Sequence, residues 1–225
     1  MLFATLTPLL DEHSGEMRIP NPLRPGEDRV QGHYGGRDVL LSVREPVRGT
    51  ESSLFRIVLG SRTTMPFVFS VQKRMLLGIV SNPQVGRLVR TGDKGLDKRY
   101  RITDLTVLTR FGIFQRLFAS SKKSKDLQEN LDKRLISWLR LPETLRKLDI
   151  LFRSCGVDYL STQTEYPARI ELSTSQSGLT AILRHYSKGQ LLPDNVRCIL
   201  EEMDSLLRSA ESLLELKAEQ RNSSG

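Results

Sequence analysis

The chain is poor in the residues that carry most enzyme chemistry. It has two cysteines, three histidines and one tryptophan in 225 residues, and aromatics make up 6% of it. Cys155 and Cys198 stand far apart in sequence, so they form no metal or redox motif, and they read as reduced, buried thiols of an intracellular protein. His13, His33 and His185 are scattered, and none pairs with cysteine or clustered carboxylates at metal-ligand spacing. No Gly-x-Ser-x-Gly elbow, no phosphate-binding Gly-Lys-Ser/Thr loop and no Gly-x-Gly-x-x-Gly is present. The sequence therefore nominates no catalytic residue, no metal ligand and no cofactor, and the expectation leans away from an enzyme. No stretch approaches the ~18 apolar residues of a membrane-crossing helix. Met1–Leu10 is apolar but short, is broken by Pro8 and lacks a basic start, so it does not read as a signal peptide.

What the chain does have is positive charge, unevenly spread. The net formal charge is +8. Residues 1–60 carry 7 Lys/Arg against 8 acids and residues 151–225 carry 8 against 10, while residues 61–150 carry 19 against 8. All the excess lies in the middle. Such a segment attracts polyanions, whether an anionic lipid surface, nucleic acid or an acidic protein. The candidate polyanion-binding residues are Lys73, Arg74, Arg87, Arg90, Lys98, Arg99 and Arg101.

Alternation of apolar and polar residues places strands early in the chain. Val30–Tyr34 and Arg37–Arg44 read as a hairpin about Gly35-Gly36, a pair that accepts positive φ. Val39, Leu41 and Val43 fall on one face, as do Phe55, Ile57 and Leu59 of the next strand and Phe67, Phe69 and Val71 of the one after. These are expected to be antiparallel strands with one face packed and one wet, sharing a core with Trp138. Met75–Val80 suggests a further strand. Leu127, Leu131, Leu135, Trp138 and Leu139 recur at helical spacing, Pro142 interrupts, and Leu145, Leu148, Leu151 and Phe152 continue in a second short helix. Val157–Thr162 and Ala168–Thr174 read as a second hairpin across Glu165-Tyr166-Pro167. From Asp194 a long helix carries Val196, Ile199, Leu200, Met203, Leu206, Leu207, Ala210, Leu213 and Leu214 as a stripe. The stripe suits docking on the chain's own sheet, with a homodimer seam as the alternative.

The expected fold class is α+β: antiparallel sheet with helices packed on one face and a long C-terminal helix. The expected organisation is a flexible Pro-rich lead-in over 1–27, a strand-rich basic half over 28–118, a helix-hairpin-helix half over 127–217 packed on it, and a tail over 218–225.

The one segment that looks like a fixed pattern runs Gly92-Asp93-Lys94-Gly95-Leu96-Asp97-Lys98-Arg99-Tyr100-Arg101-Ile102. Gly92-Asp93 reads as a turn, and Asp93 as the cap of a single helical turn before the chain straightens. Leu96, Tyr100 and Ile102 are then buried. Asp93 and Asp97 share a face at a spacing of four, which opens a second use as a carboxylate pair for metal or acid/base work. Gly-Asp-x-x-Leu-Asp-x-x-Tyr-x-Ile resembles the signature of a family of uncharacterised bacterial proteins, usually written Gly-Asp-x-x-Phe-Asp-x-x-(Phe/Tyr)-x-Ile/Val; Leu96 departs from the usual Phe, and both are side chains to bury. In that family it follows a hairpin like Gly32-His33-Tyr34-Gly35-Gly36-Arg37-Asp38-Val39-Leu40-Leu41. The likeness covers roughly residues 30–175, with only the two motifs specific. Many members carry membrane-spanning helices ahead of this domain, so the resemblance implies membrane association but no activity.

The first expectation is a non-enzymatic cytoplasmic module, peripheral to the inner membrane and docking on anionic lipid through a basic face. The second is a nucleic-acid-binding regulator, and the third a hydrolase or metal enzyme centred on Asp93 and Asp97.

Overall fold

The computed structural model describes residues 5–18, 27–44, 53–63, 67–73, 87–104, 133, 135–161, 178–184 and 188–222. Nine strands pair into one sheet: β1 (Glu12–Arg18), β2 (Glu27–Tyr34), β3 (Arg37–Arg44), β4 (Leu54–Gly60), β5 (Phe69–Lys73), β6 (Arg87–Val89), β7 (Tyr100–Asp104), β8 (Tyr159–Ser161) and β9 (Gly178–Arg184). The helices are α1 (Lys94–Arg99), α2 (residues 135–139), α3 (Pro142–Asp149), which runs into a π-helical turn at Ile150–Ser154, and α4 (Pro193–Asn222). The fold is α+β, as the sequence predicts.

The strand order is β1-β2-β3-β4-β9-β8-β5-β7-β6, and every described pairing is antiparallel. The β2–β3 hairpin turns at Gly35 (φ 57°) and Gly36 (φ 72°), and the two positive angles match the strand twist. The two proposed halves are not stacked layers. β8 and β9 come from the second half and insert between β4 and β5 of the first. The lead-in also needs correction where it is described. Leu6, Leu9 and Leu10 enter the core, and Glu12–Arg18 pairs along β2, with a register shift between His13 and Glu16. The second-hairpin strand expected at 168–174 and the strand expected at 75–80 lie outside the described residues; the described partners of β8 are β9 and β5.

One face of the sheet carries Val39, Leu41, Val43, Phe55, Ile57, Leu59, Leu179, Ala181, Leu183, Leu160, Phe69, Val71 and Ile102 into a single core. The helices close over it. Trp138 packs against Phe67 and Phe69 at ring-centroid distances of 5.1 and 5.3 Å, and its indole N–H donates to Ser209 Oγ at 3.2 Å. Val196, Ile199, Leu200, Met203, Leu206, Leu207 and Ala210 of α4 are fully buried in the same core. The stripe offered as a dimer seam is therefore spent, through Ala210, on the chain's own sheet. The second face is not wet as expected. Leu40, Ser42, Arg56, Val58, Ser70, Thr103, Tyr159, Ser161, Thr180 and Ile182 are buried there. Alternation separates the faces but does not say which will see water, and small hydroxyl residues can be buried once hydrogen-bonded.

A buried ion-pair network fixes α4 to the sheet. Arg37 shares the core-facing parity of Val39, Leu41 and Val43, and its side chain is fully buried. Its guanidinium donates to Asp204 Oδ1 at 2.6 Å and spans both oxygens of Glu211 at 2.8 and 2.7 Å. Glu211 also accepts from the Ser61 hydroxyl at 2.8 Å and the Arg62 amide at 2.9 Å, and Arg208 pairs with Asp204 Oδ2 at 2.6 Å. Burial alone would raise the Glu211 pKa. The Arg37, Ser61 and Arg62 donors and the Arg37 charge outweigh it and hold the carboxyl down to about 2.

Candidate functional site

The Gly92–Ile102 pattern folds largely as its chemistry dictates. Gly92 has φ 86°, a conformation open to glycine, and an added Cβ would stand 2.9 Å from Arg140 Nη2, so the guanidinium would have to shift. Asp93 caps α1, its Oδ1 accepting from the Leu96 amide at 2.9 Å. Thr91 Oγ1 accepts from the Asp93 amide at 3.1 Å, and Arg140 Nε donates to the Thr91 carbonyl at 2.6 Å. Leu96, Tyr100 and Ile102 are buried, and Tyr100 packs on Phe152 at 4.9 Å.

Asp97 closes the same turn from the other side. Its Oδ1 accepts from the Thr91 amide at 2.9 Å and the Thr91 hydroxyl at 3.0 Å, and its Oδ2 from the Gly92 amide at 3.3 Å. Partial burial pushes its pKa up; those donors and the nearby Arg90 charge more than offset it and leave the carboxyl below its ordinary range. Both carboxylates are thus committed to holding α1. Among the described residues no group of three or more His, Cys, Asp or Glu gathers to hold a metal. The arrangement is a staple and supplies neither a converging acid/base pair nor an open coordination shell.

The staple presents cations. Arg90, Lys94, Lys98 and Arg99 are exposed around α1. Arg99 is engaged by Asp149 at 3.2 Å and lies 5.8 Å from the Tyr100 ring centroid. Arg90, Lys94 and Lys98 take part in no ion pair among the described residues. Lys98 and Arg99 also lie in the last turn of α1, where the helix dipole favours positive charge. Two large apolar side chains are exposed on neighbouring elements: Leu88 of β6, in register with Thr103 and so on the sheet face away from the helices, is 42% exposed, and Leu141, which follows the Arg140 that grips Thr91, is 40% exposed.

The candidate cations do not all gather there. Lys73 is exposed at the end of β5, in register with Tyr100. Arg101 points to the opposite sheet face, half-buried, with its Nε in no hydrogen bond. Arg74 and the Arg87 side chain lie outside the described residues. Sequence reasoning missed Lys94 although it sits inside the motif. It also missed a second set of arginines, Arg29, Arg44, Arg56 and Arg184, on the sheet face away from the helices. Arg29 and Arg56 flank Ser42, and Arg44 and Arg184 flank Leu54. Arginine at the outward parity of successive strands was the available signal. All four are engaged within the chain, with Arg56 Nε donating to Ser42 Oγ at 3.1 Å, so they are structural positive charge.

The cysteines also depart from expectation. Cys155, after the π-helical turn, and Cys198, in the second turn of α4, come together with their sulfurs 3.1 Å apart. Both are free thiols, and Cys198 is only half-buried.

Comparison with protein-family models, with curated proteins and with solved structures gives no match.

Proposed function

We propose that this chain is a non-enzymatic module that docks on an anionic membrane surface through the shoulder around α1. The observation that carries the reading is the set of cations there: Arg90, Lys94 and Lys98 are exposed without ion pairs among the described residues, and Leu88 is exposed two residues before Arg90. Cations near an anionic leaflet contribute about 1 kcal/mol each, and apolar side chains at the same level enter the headgroup boundary. Among the described residues no helix is long and apolar enough to cross a membrane, so contact here is by surface. On this reading the domain works on the cytoplasmic side, where the anionic leaflet lies.

Two features favour lipid over nucleic acid. Single-stranded nucleic acid is held by exposed aromatic platforms, whereas among the described aromatics Phe55, Phe67, Phe69, Tyr100, Trp138, Phe152 and Tyr159 are buried and Tyr34 is half-buried. The side chain exposed two residues before Arg90, Leu88, is aliphatic. The enzyme reading centred on Asp93 and Asp97 is disfavoured, since Asp97 accepts three hydrogen bonds from Thr91 and Gly92 and Asp93 caps α1 through its Oδ1.

The test is co-sedimentation of the protein with vesicles of phosphatidylcholine alone and with added phosphatidylserine, over a salt series. Binding that requires phosphatidylserine and weakens as salt rises supports the proposal. Equal binding to both vesicles, or none at near-physiological salt, overturns it. Preference for nucleic acid over the anionic vesicles, with a steep salt slope, would replace it with a nucleic-acid-binding role.

A further inference from the structure

We infer that Cys155 and Cys198 form an oxidisable dithiol site, which takes a low-molecular-weight disulfide as its co-substrate and closes into an internal disulfide. The geometry carries it. Cys155 Sγ donates to Cys198 Sγ at 3.1 Å, across 43 residues of sequence, so only a small side-chain movement separates the two thiols from a bond. The backbone on each side is held. The Cys155 amide donates to the Ile150 carbonyl at 3.0 Å and closes the π-helical turn. Asn195 Nδ2 bridges the Cys155 carbonyl at 3.2 Å and the Gln190 carbonyl at 2.8 Å. Gly156 takes φ 74°, and a side chain there would run into the Gln190 amide. The turn and the start of α4 therefore meet in one fixed arrangement with the sulfurs facing each other.

The two thiols differ in access, which assigns their roles. Cys198 is half-buried and meets solvent; Cys155 is 2% exposed. Burial, then the hydrogen bond and proximity of Cys198, push the Cys155 thiol well above its ordinary pKa, so it is a poor first nucleophile. The Cys198 thiolate attacks one sulfur of the small disulfide. A Cys198–S bond forms, the S–S bond of the reagent breaks, and the first small thiolate leaves and takes up the proton released by Cys198. Cys155 then attacks Cys198 Sγ. The Cys155–Cys198 bond forms, the mixed disulfide breaks, and the second small thiolate leaves with the Cys155 proton. Two protein thiols are oxidised and one small disulfide is reduced to two thiols. The bond would tie the π-helical turn to α4 and enclose β8 and β9, the strands at the middle of the sheet.

The unsubstituted protein carries the main test. It is incubated natively with oxidised glutathione, quenched with acid, alkylated and measured by intact-mass and peptide mass spectrometry. The expected result is a monomeric chain lighter by two hydrogens, with the Cys155 and Cys198 peptides linked, and reversal by dithiothreitol. The thermal midpoint should rise by about 5–15 °C on oxidation, the range for closing a loop of this size in a chain of this length. Cys155→Ser should stop at glutathione on Cys198. A native chain that carries glutathione on Cys198 with both cysteines present and no internal bond overturns the inference. So does a product linked only between two chains, or a chain whose thiols react only after unfolding.

Discussion

Arg37→Ala removes the cation that joins Asp204 to Glu211 beneath α4. What remains is unequal. Asp204 keeps Arg208 at 2.6 Å, while Glu211 keeps only neutral donors, the Ser61 hydroxyl and the Arg62 amide. Both carboxylate side chains are 10% exposed, so water cannot take the place of the lost fork. Breaking a buried pair from one side costs about 3–5 kcal/mol, a large share of the roughly 5–15 kcal/mol that keeps a domain folded. Urea unfolding should show a lower midpoint with an unchanged slope. The pH dependence gives an independent reading. The Glu211 carboxyl lies at about 2 in the folded chain against an ordinary 4.5. A depressed pKa gives stability that is full above the unfolded value and lost as pH falls through the folded one, so this contribution fades between about pH 5 and pH 2. At about 1.4 kcal/mol per pKa unit it amounts to about 3 kcal/mol. Glu211→Gln should remove that part of the acid sensitivity. An Arg37→Ala cost below about 1 kcal/mol, or an unchanged acid limb in Glu211→Gln, would refute the network as the clasp between α4 and the sheet.

Other substitutions probe separate joints. Asp93→Ala removes the α1 cap and should cost about 1 kcal/mol in chemical denaturation. Gly92→Ala should destabilise by about 1–2 kcal/mol, since the residue holds a positive φ against Arg140; a neutral result would mean that the turn is built otherwise. Phe69→Ala, in the stack with Phe67 and Trp138, should cost about 3–5 kcal/mol, with loss of near-ultraviolet dichroism from Trp138.

The sequence was most legible where local chemistry decides structure. Gly35-Gly36 announced the hairpin, alternation gave β3 and β4, Asp93 announced α1, and the apolar stripe gave the buried face of α4. It was least legible where pairing partners are chosen across the chain. β1 is largely polar and gained its place by pairing with β2, and β9 entered the middle of the sheet between β4 and β8, whereas the alternation points to a strand at 168–174. The Arg37 clasp spans 167 and 174 residues and has no local signature. Two signs could have suggested it: an arginine at a core-facing parity of β3, and Asp204 and Glu211 seven residues apart beside the stripe of α4. The cysteines carried no such sign, because their meeting depends on how the π-helical turn lands on α4. At the candidate site the motif correctly marked a capped turn, while the cations around it divided between solvent and internal pairs in ways that charge counting does not resolve.

Docking on anionic lipid is proposed for the shoulder around α1. Its most direct measurement compares the unsubstituted chain with Arg90→Glu/Lys94→Glu/Lys98→Glu for binding to phosphatidylserine-containing vesicles at near-physiological salt. The three sites are exposed and form no ion pair among the described residues, so the variant should stay folded, with a modest loss of stability from reversing the Arg90 charge near Asp97 and the Lys98 charge in the last turn of α1. At about 1 kcal/mol per cation lost, vesicle affinity should fall by about 100-fold or more. A folded variant that binds the vesicles as well as the unsubstituted chain would contradict the account.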